Sequence, residues 1–273
     1  GGASLVGGIN VSPNGRSVVV YGNNGIVVYA NGQWGEVETD VVGVLEIAWS
    51  SDGDQLAAMG KHGLAVYANG QWSNVKTDLG EVRGIAWNPD GRKLAGYGEN
   101  GVAVYENGQW GKVKSHMGEV WNIAWSLDGS QLAAGGGGVA VYKNGQWSEV
   151  EWGFGGVRDI VWSPDGTQLA ARGQNGVAVN KNGKWGTMMT DLGSPLGFAW
   201  SPDGRKLAAG GEFGMAIYED DHWSEVRTDL GEVVKFVWSP DGRKLAAIAQ
   251  KILNSVVIIE NGQLGEMKSG VRE

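Results

Sequence analysis

The pentapeptide WSPDG occurs three times unchanged, at residues 162–166, 200–204 and 238–242, and the near-copies VSPNG, WSSDG, WNPDG and WSLDG precede it. Within SPDG the proline presets φ for a type I turn, the aspartate can bond back to the backbone, and the glycine takes the left-handed position that closes a hairpin. The glycines that end the seven copies are Gly15, Gly53, Gly91, Gly129, Gly166, Gly204 and Gly242, spaced by 38, 38, 38, 37, 38 and 38 residues. Seven units of this length fill nearly all of the 273 residues.

Each unit alternates short β-prone runs with Gly, Asn and Pro-Asp-Gly punctuation. In the third copy the runs predict strands at 82–87 (A), 93–97 (B), 102–105 (C) and 110–114 (D). Gly or Pro interrupts every window in which a helix could complete three turns, so the chain is expected to be all-β. The Asn-Gly of the recurring NGQW tolerates the positive φ of a type I′ turn and specifies the C–D hairpin. A single A-B-C-D meander cannot bury both its faces. A fixed period of this size denotes a solenoid, propeller or array, and packed radially the sheets cover one another as seven blades. The small residues of the KLAAxG runs permit close approach, and each large side chain buried from IAW or FVW contributes roughly 1.5–3 kcal/mol.

The WSPDG-(R/K/T/Q)xLA element resembles the repeats of WD-repeat proteins and, more closely, those of TolB-type periplasmic propellers, over all seven units. The resemblance implies a seven-bladed β-propeller of four antiparallel strands per blade. It does not carry over TolB's partners, since the accessory domain has no counterpart here, and the WD dipeptide and Gly-His signature of WD repeats are missing. The chain is expected to form one domain over 1–273, running from strand A of the first blade (5–11) to strand D of the last (264–268), with no shared closing strand.

Composition narrows the function. With 22 Lys and Arg against 30 Asp and Glu, the net charge of −8 argues against nucleic acid, whose binding rests on basic side chains displacing counterions. Cysteine is absent, which removes disulfides and thiolate metal sites. No apolar run reaches the 18 or so residues of a membrane span, and the sequence gives no indication of compartment. His62, His116 and His222 fall at three different places in their units, so no metal or triad geometry is suggested. The SPDG aspartates lack the dense oxygen ligands of a calcium loop, and GGGGVAV at 135–141 has no helix behind it to hold a phosphate. No enzyme, cofactor or metal is expected, and a monomer is.

Two sets of residues remain as binding candidates. Trp34, Trp72, Trp110, Trp147, Trp185 and Trp223 follow the C–D turn of six units. They are blade-packing residues or, alternatively, equivalent sugar-stacking platforms of a multivalent lectin; Leu264 replaces the Trp in the seventh unit. The second set lies where the copies disagree, in two columns at the start of strand A. One reads Gly7, Leu45, Arg83, Trp121, Arg158, Leu196, Val234, and the next Gly8, Glu46, Gly84, Asn122, Asp159, Gly197, Lys235. The B–C connections diverge too, from NNG, KHG and ENG to EFG and KILNS. D–A and B–C connections emerge on one face of a meander, opposite the two tight turns. Glu46, Arg83, Trp121, Asn122, Arg158, Asp159 and Lys235 are therefore candidates for binding a protein or peptide at the channel mouth, because Trp and Arg are typical interface anchors. A recently amplified or engineered repeat with no defined ligand is a third reading.

Overall fold

The computed structural model describes residues 6–268 apart from 39, 42, 62, 149, 152, 251–254 and 261–262. These residues form seven four-stranded antiparallel sheets, each a meander of strands consecutive in the sequence. We number them blades 1 to 7 and letter their strands A to D. The chain divides into two compact units, Gly1–Val150 with blades 1 to 4 and Glu151–Glu273 with blades 5 to 7. Blade 7 is assembled from Val233–Trp238, Lys244–Ala249, Ser255–Glu260 and Gln263–Lys268. His62, Trp152, residues 1–5 and most of KILNS lie outside the described residues.

Both turns adopt the geometry their residues dictate. The seven SPDG-type glycines have φ between 69° and 75°, and the Gly53 N–H closes its turn on the Ser50 carbonyl at 2.9 Å. The Ser50 hydroxyl donates to Asp52 Oδ1 at 2.6 Å and accepts the Gln55 N–H at 2.9 Å, while the Asp54 N–H donates to the same carboxylate at 3.0 Å. The Asn-Gly turns of blades 1 to 5 have positive φ at both residues, 51–54° and 80–83°. In blade 6 Asp220 and Asp221 hold the same conformation at 50° and 65°.

This network has a pH signature. The Ser50 hydroxyl, followed by the Asp54 N–H, holds the Asp52 carboxyl below its ordinary value, and Ser126, Ser201 and Ser239 lead the same effect at Asp128, Asp203 and Asp241. A carboxyl whose pKa is lowered by folding stabilises the native state above its unfolded value of about 3.9, and that contribution disappears as pH falls through the folded value. Asp52→Asn is therefore expected to destabilise the protein at pH 7. Urea titrations repeated at decreasing pH should show the gap from the parent narrowing once pH falls below the unfolded value of about 3.9.

Adjacent blades within each unit are tied by the strand-A tryptophans. Trp87 and Trp125 in the first unit donate their indole N–H to the carbonyls of Ala48 and Ala86 at 2.9 and 3.0 Å. Trp200 and Trp238 in the second donate to Val161 and Ala199 at 3.3 and 3.0 Å. Trp49 departs from the pattern, with a buried indole nitrogen that finds no acceptor. Losing one partner of a buried hydrogen bond costs about 1–3 kcal/mol, whereas removing an unsatisfied donor does not. Trp87→Phe is thus expected to lower stability by about 1 kcal/mol more than Trp49→Phe, as read from denaturant midpoints.

In blades 1 to 6 strand D is shorter than the sequence suggests, whereas in blade 7 it runs the full Gln263–Lys268. In blade 3 the ladder covers only Gln109–Trp110, and after a break the chain returns for a single bridge, Val102 to Lys114. Where serine follows the tryptophan, its hydroxyl takes over a ladder contact, as Ser73 Oγ accepts the Val66 N–H at 3.0 Å. The core of blades 2 to 7 centres on the strand-B leucine, with Leu56, Leu94, Leu132, Leu169, Leu207 and Leu245 at most 1% exposed. The D–A connections add a second layer, because Val41, Leu79, Met117, Phe154, Leu192 and Leu230 point inward and are at most 2% exposed.

Candidate functional site at the D–A and B–C rim

The variable residues stand on a rigid base. In blade 3 the B–C connection is bonded to the preceding D–A connection, Asn100 N–H to the Leu79 carbonyl at 2.9 Å and Asn100 Nδ2 to the Asp78 carbonyl at 3.2 Å. Blade 5 repeats this with Asn175 on Phe154 and Gly153 at 3.0 and 2.8 Å, and blade 6 with Phe213 N–H on the Leu192 carbonyl at 3.0 Å. The buried Leu79, Phe154 and Leu192 anchor the carbonyls on which these loops rest. Close contact accompanies the bonding, since a Cβ at Gly98 would lie 2.3 Å from the Glu81 carbonyl oxygen.

The first variable column is a bulge in every blade. Strand pairing with B slips by one residue around Gly7, Leu45, Arg83, Trp121, Arg158, Leu196 and Val234, each of which is skipped in the register. An extra residue at a bulge is freed from the ladder and its side chain is re-aimed. Leu45 is 65% and Trp121 46% exposed, and Arg83 and Arg158 are exposed as well. The second column pairs with strand B, setting Glu46 opposite Met59, Asn122 opposite Gly135, Asp159 opposite Arg172 and Lys235 opposite Ile248.

In the first unit, Arg83 forms an ion pair with Glu119 at the foot of blade 4. Burial pushes the Glu46 carboxyl above its ordinary value. The Tyr97 hydroxyl is raised first by burial and then by the Glu46 charge. In the second unit, Asp159 faces the Arg172 guanidinium at 3.5 Å. Arg172 also donates to the Pro195 carbonyl at 3.1 Å and lies 5.9 Å from the Phe198 ring centre. Asp159 is therefore already engaged, while Arg158 and Lys235 project into solvent.

Sequence reading missed two parts of this surface. Phe213, the middle residue of EFG, is 58% exposed and borders a cleft of about 650 Å³ with Glu212, Thr228, Glu232 and Gln250. Tyr97 and Arg172 belong to a strand-B column that also varies, visible as the x of KLAAxG. The repeated Trp set lies elsewhere, on the C–D hairpins. Trp34 is 57% exposed, whereas Trp72, Trp110, Trp147, Trp185 and Trp223 are partly buried. Five of the six rings meet the Tyr of their own strand C at 5.1–5.3 Å between centres, and Trp185 meets Phe154 at 5.2 Å. The indole nitrogens of Trp72 and Trp110 are buried without an acceptor. Among the described residues no group of three or more potential metal ligands is brought together.

Comparison with solved structures gives the architecture its class. A chain of the mitotic checkpoint complex aligns over 94% of this chain and 95% of its own, at 17% identity and a TM-score of 0.50. Sqt1 from Chaetomium thermophilum, solved bound to the N-terminus of the ribosomal protein L10, aligns over 98% of this chain and 88% of its own, at 20% identity and a TM-score of 0.56. Both neighbours are WD-repeat propellers. The chain is a seven-bladed β-propeller. No protein-family model and no curated protein matches it, so the likeness is one of fold.

Proposed function

We propose that this propeller is a non-catalytic recognition module that binds a protein or peptide on the rim of its D–A and B–C connections. The observation that carries this reading is the recurrence of a bulge at the first of the two variable strand-A positions in all seven blades. The bulge frees Leu45, Arg83 and Trp121, all exposed, from the ladder at the foot of three successive blades. Pinned loops lower the ordering cost of association, which favours tight binding by a small surface. The Sqt1 neighbour was solved with the N-terminus of another protein bound, which supports a peptide as the kind of partner. The cleft beside Phe213, which carries Glu212 and Glu232, favours a partner segment that combines apolar and basic side chains.

The test is selection of peptides from a random phage-displayed library against the full chain. Enrichment of peptides carrying Lys or Arg beside aromatic residues, with binding lost on Trp121→Ala or Phe213→Ala, is the expected result. Peptides whose binding survives both substitutions would contradict the proposal.

A further inference from the structure

Blade 7 lacks both members of the Tyr–Trp pair carried on strands C and D of blades 1 to 4 and 6. Between blades 3 and 4, Lys93 and Glu106 are cross-strand neighbours joined at 3.1 Å. The Tyr142 ring of blade 4 completes the site. Its hydroxyl donates to Glu106 at 3.3 Å, the Lys93 ammonium lies 5.9 Å from its ring centre, and its other neighbour is Trp147 at 5.2 Å. Between blades 6 and 7 the first half of this site is retained, for Lys206 and Glu219 are again cross-strand neighbours joined at 3.1 Å. The second half is not. Ile259 occupies the register position of Tyr142, each opposite the strand-B leucine, Leu245 or Leu132, and Leu264 stands in place of the tryptophan.

A cleft of about 970 Å³ opens there, lined by Lys206, Glu219, Trp223, Trp238, Arg243 and Ile259 among others. This is the size of a small-molecule site. Its polar groups are those that hold a tyrosine ring three blades earlier in the chain: a carboxylate to accept a phenolic O–H and an ammonium to lie over an aromatic face. We propose that the cleft between blades 6 and 7 binds a para-substituted phenol, which takes the position the missing tyrosine would occupy. The site is separate from the D–A and B–C rim and stands or falls independently of the function proposed there.

The experiment titrates the full chain with p-cresol and with toluene, followed through the indole N–H resonances of Trp223 and Trp238. A saturable shift with p-cresol is expected, with toluene about tenfold weaker because it lacks the hydroxyl that a charged acceptor rewards. Glu219→Gln should bring p-cresol close to the affinity of toluene. Ile259→Tyr should fill the cleft, abolish p-cresol binding and raise Tm. N-acetyltyrosinamide separates the two sources of the ring. Binding near that of p-cresol admits a tyrosine presented by a polypeptide, and its failure beside p-cresol binding identifies a free phenol; both uphold the site. The proposal is overturned if p-cresol gives no saturable shift, if Glu219→Gln leaves its affinity unchanged, or if a folded Ile259→Tyr still binds it.

Discussion

Leu79→Ala is expected to lower the unfolding free energy by about 3 kcal/mol, within the range of buried leucine truncations. Leu79 is fully buried and packs with Leu64, Val82, Ile85 and Leu94, although it belongs to a connection rather than a strand. Its removal leaves a cavity, and it also loosens the carbonyl that receives the Asn100 N–H at 2.9 Å. Two readouts should move together in the variant. The urea midpoint falls, and the Asn100 amide exchanges faster than amides of strand B in the same blade. Leu79→Met keeps the volume and is expected to cost under about 1.5 kcal/mol. If Leu79→Ala were as mild as a surface change, within about 0.5 kcal/mol, the D–A connection would not be the anchor of the rim.

The second large effect concerns binding. Trp121→Ala is expected to weaken a rim-selected peptide about 30-fold or more, the scale of a hot-spot truncation. Tm should stay nearly constant, because the ring is 46% exposed and stands off the ladder. Arg83→Ala is expected to do less. Its guanidinium is already paired with Glu119, with 44% and 37% of the two side chains exposed, and an exposed pair of this kind contributes little. Calorimetric titration of the same peptide against both variants gives the order directly, Trp121 above Arg83.

Much of this architecture was legible because turn chemistry is local. SPDG and NGQW specify their φ values from residues that are adjacent in sequence, so seven copies at a fixed period set blade number, phase and strand order together. What escaped depends on partners distant in the chain. The bulges at Leu45, Arg83 and Trp121 appear only in register with strand B, though their variability marked the column. Leu79 sits in TDLGEV, which reads as a polar connection, and its burial follows from the neighbouring sheets. Strand D ends after Trp110 because the chain bends away before bridging Val102 with Lys114, while the run of residues looks continuous. The substitution of Leu264 for tryptophan was visible in the alignment of units, but its consequence needed the companion change to Ile259 and the retained Lys206–Glu219 pair. Among the site candidates, Asp159 carried a charge in the sequence whose counter-charge, Arg172, lies on the next strand.

Recognition is proposed on the rim where the blades differ and not on the rim of SPDG and Asn-Gly turns where they agree. Hydrogen exchange of the full chain with and without a library-selected peptide tests it most directly. Slowed exchange is expected at Leu79, Glu81, Glu99, Asn100 and Trp121, with the amides of Asp52, Asp90 and Asp128 unchanged. Protection confined to those SPDG-type turns, with the D–A and B–C connections unaffected, would contradict it.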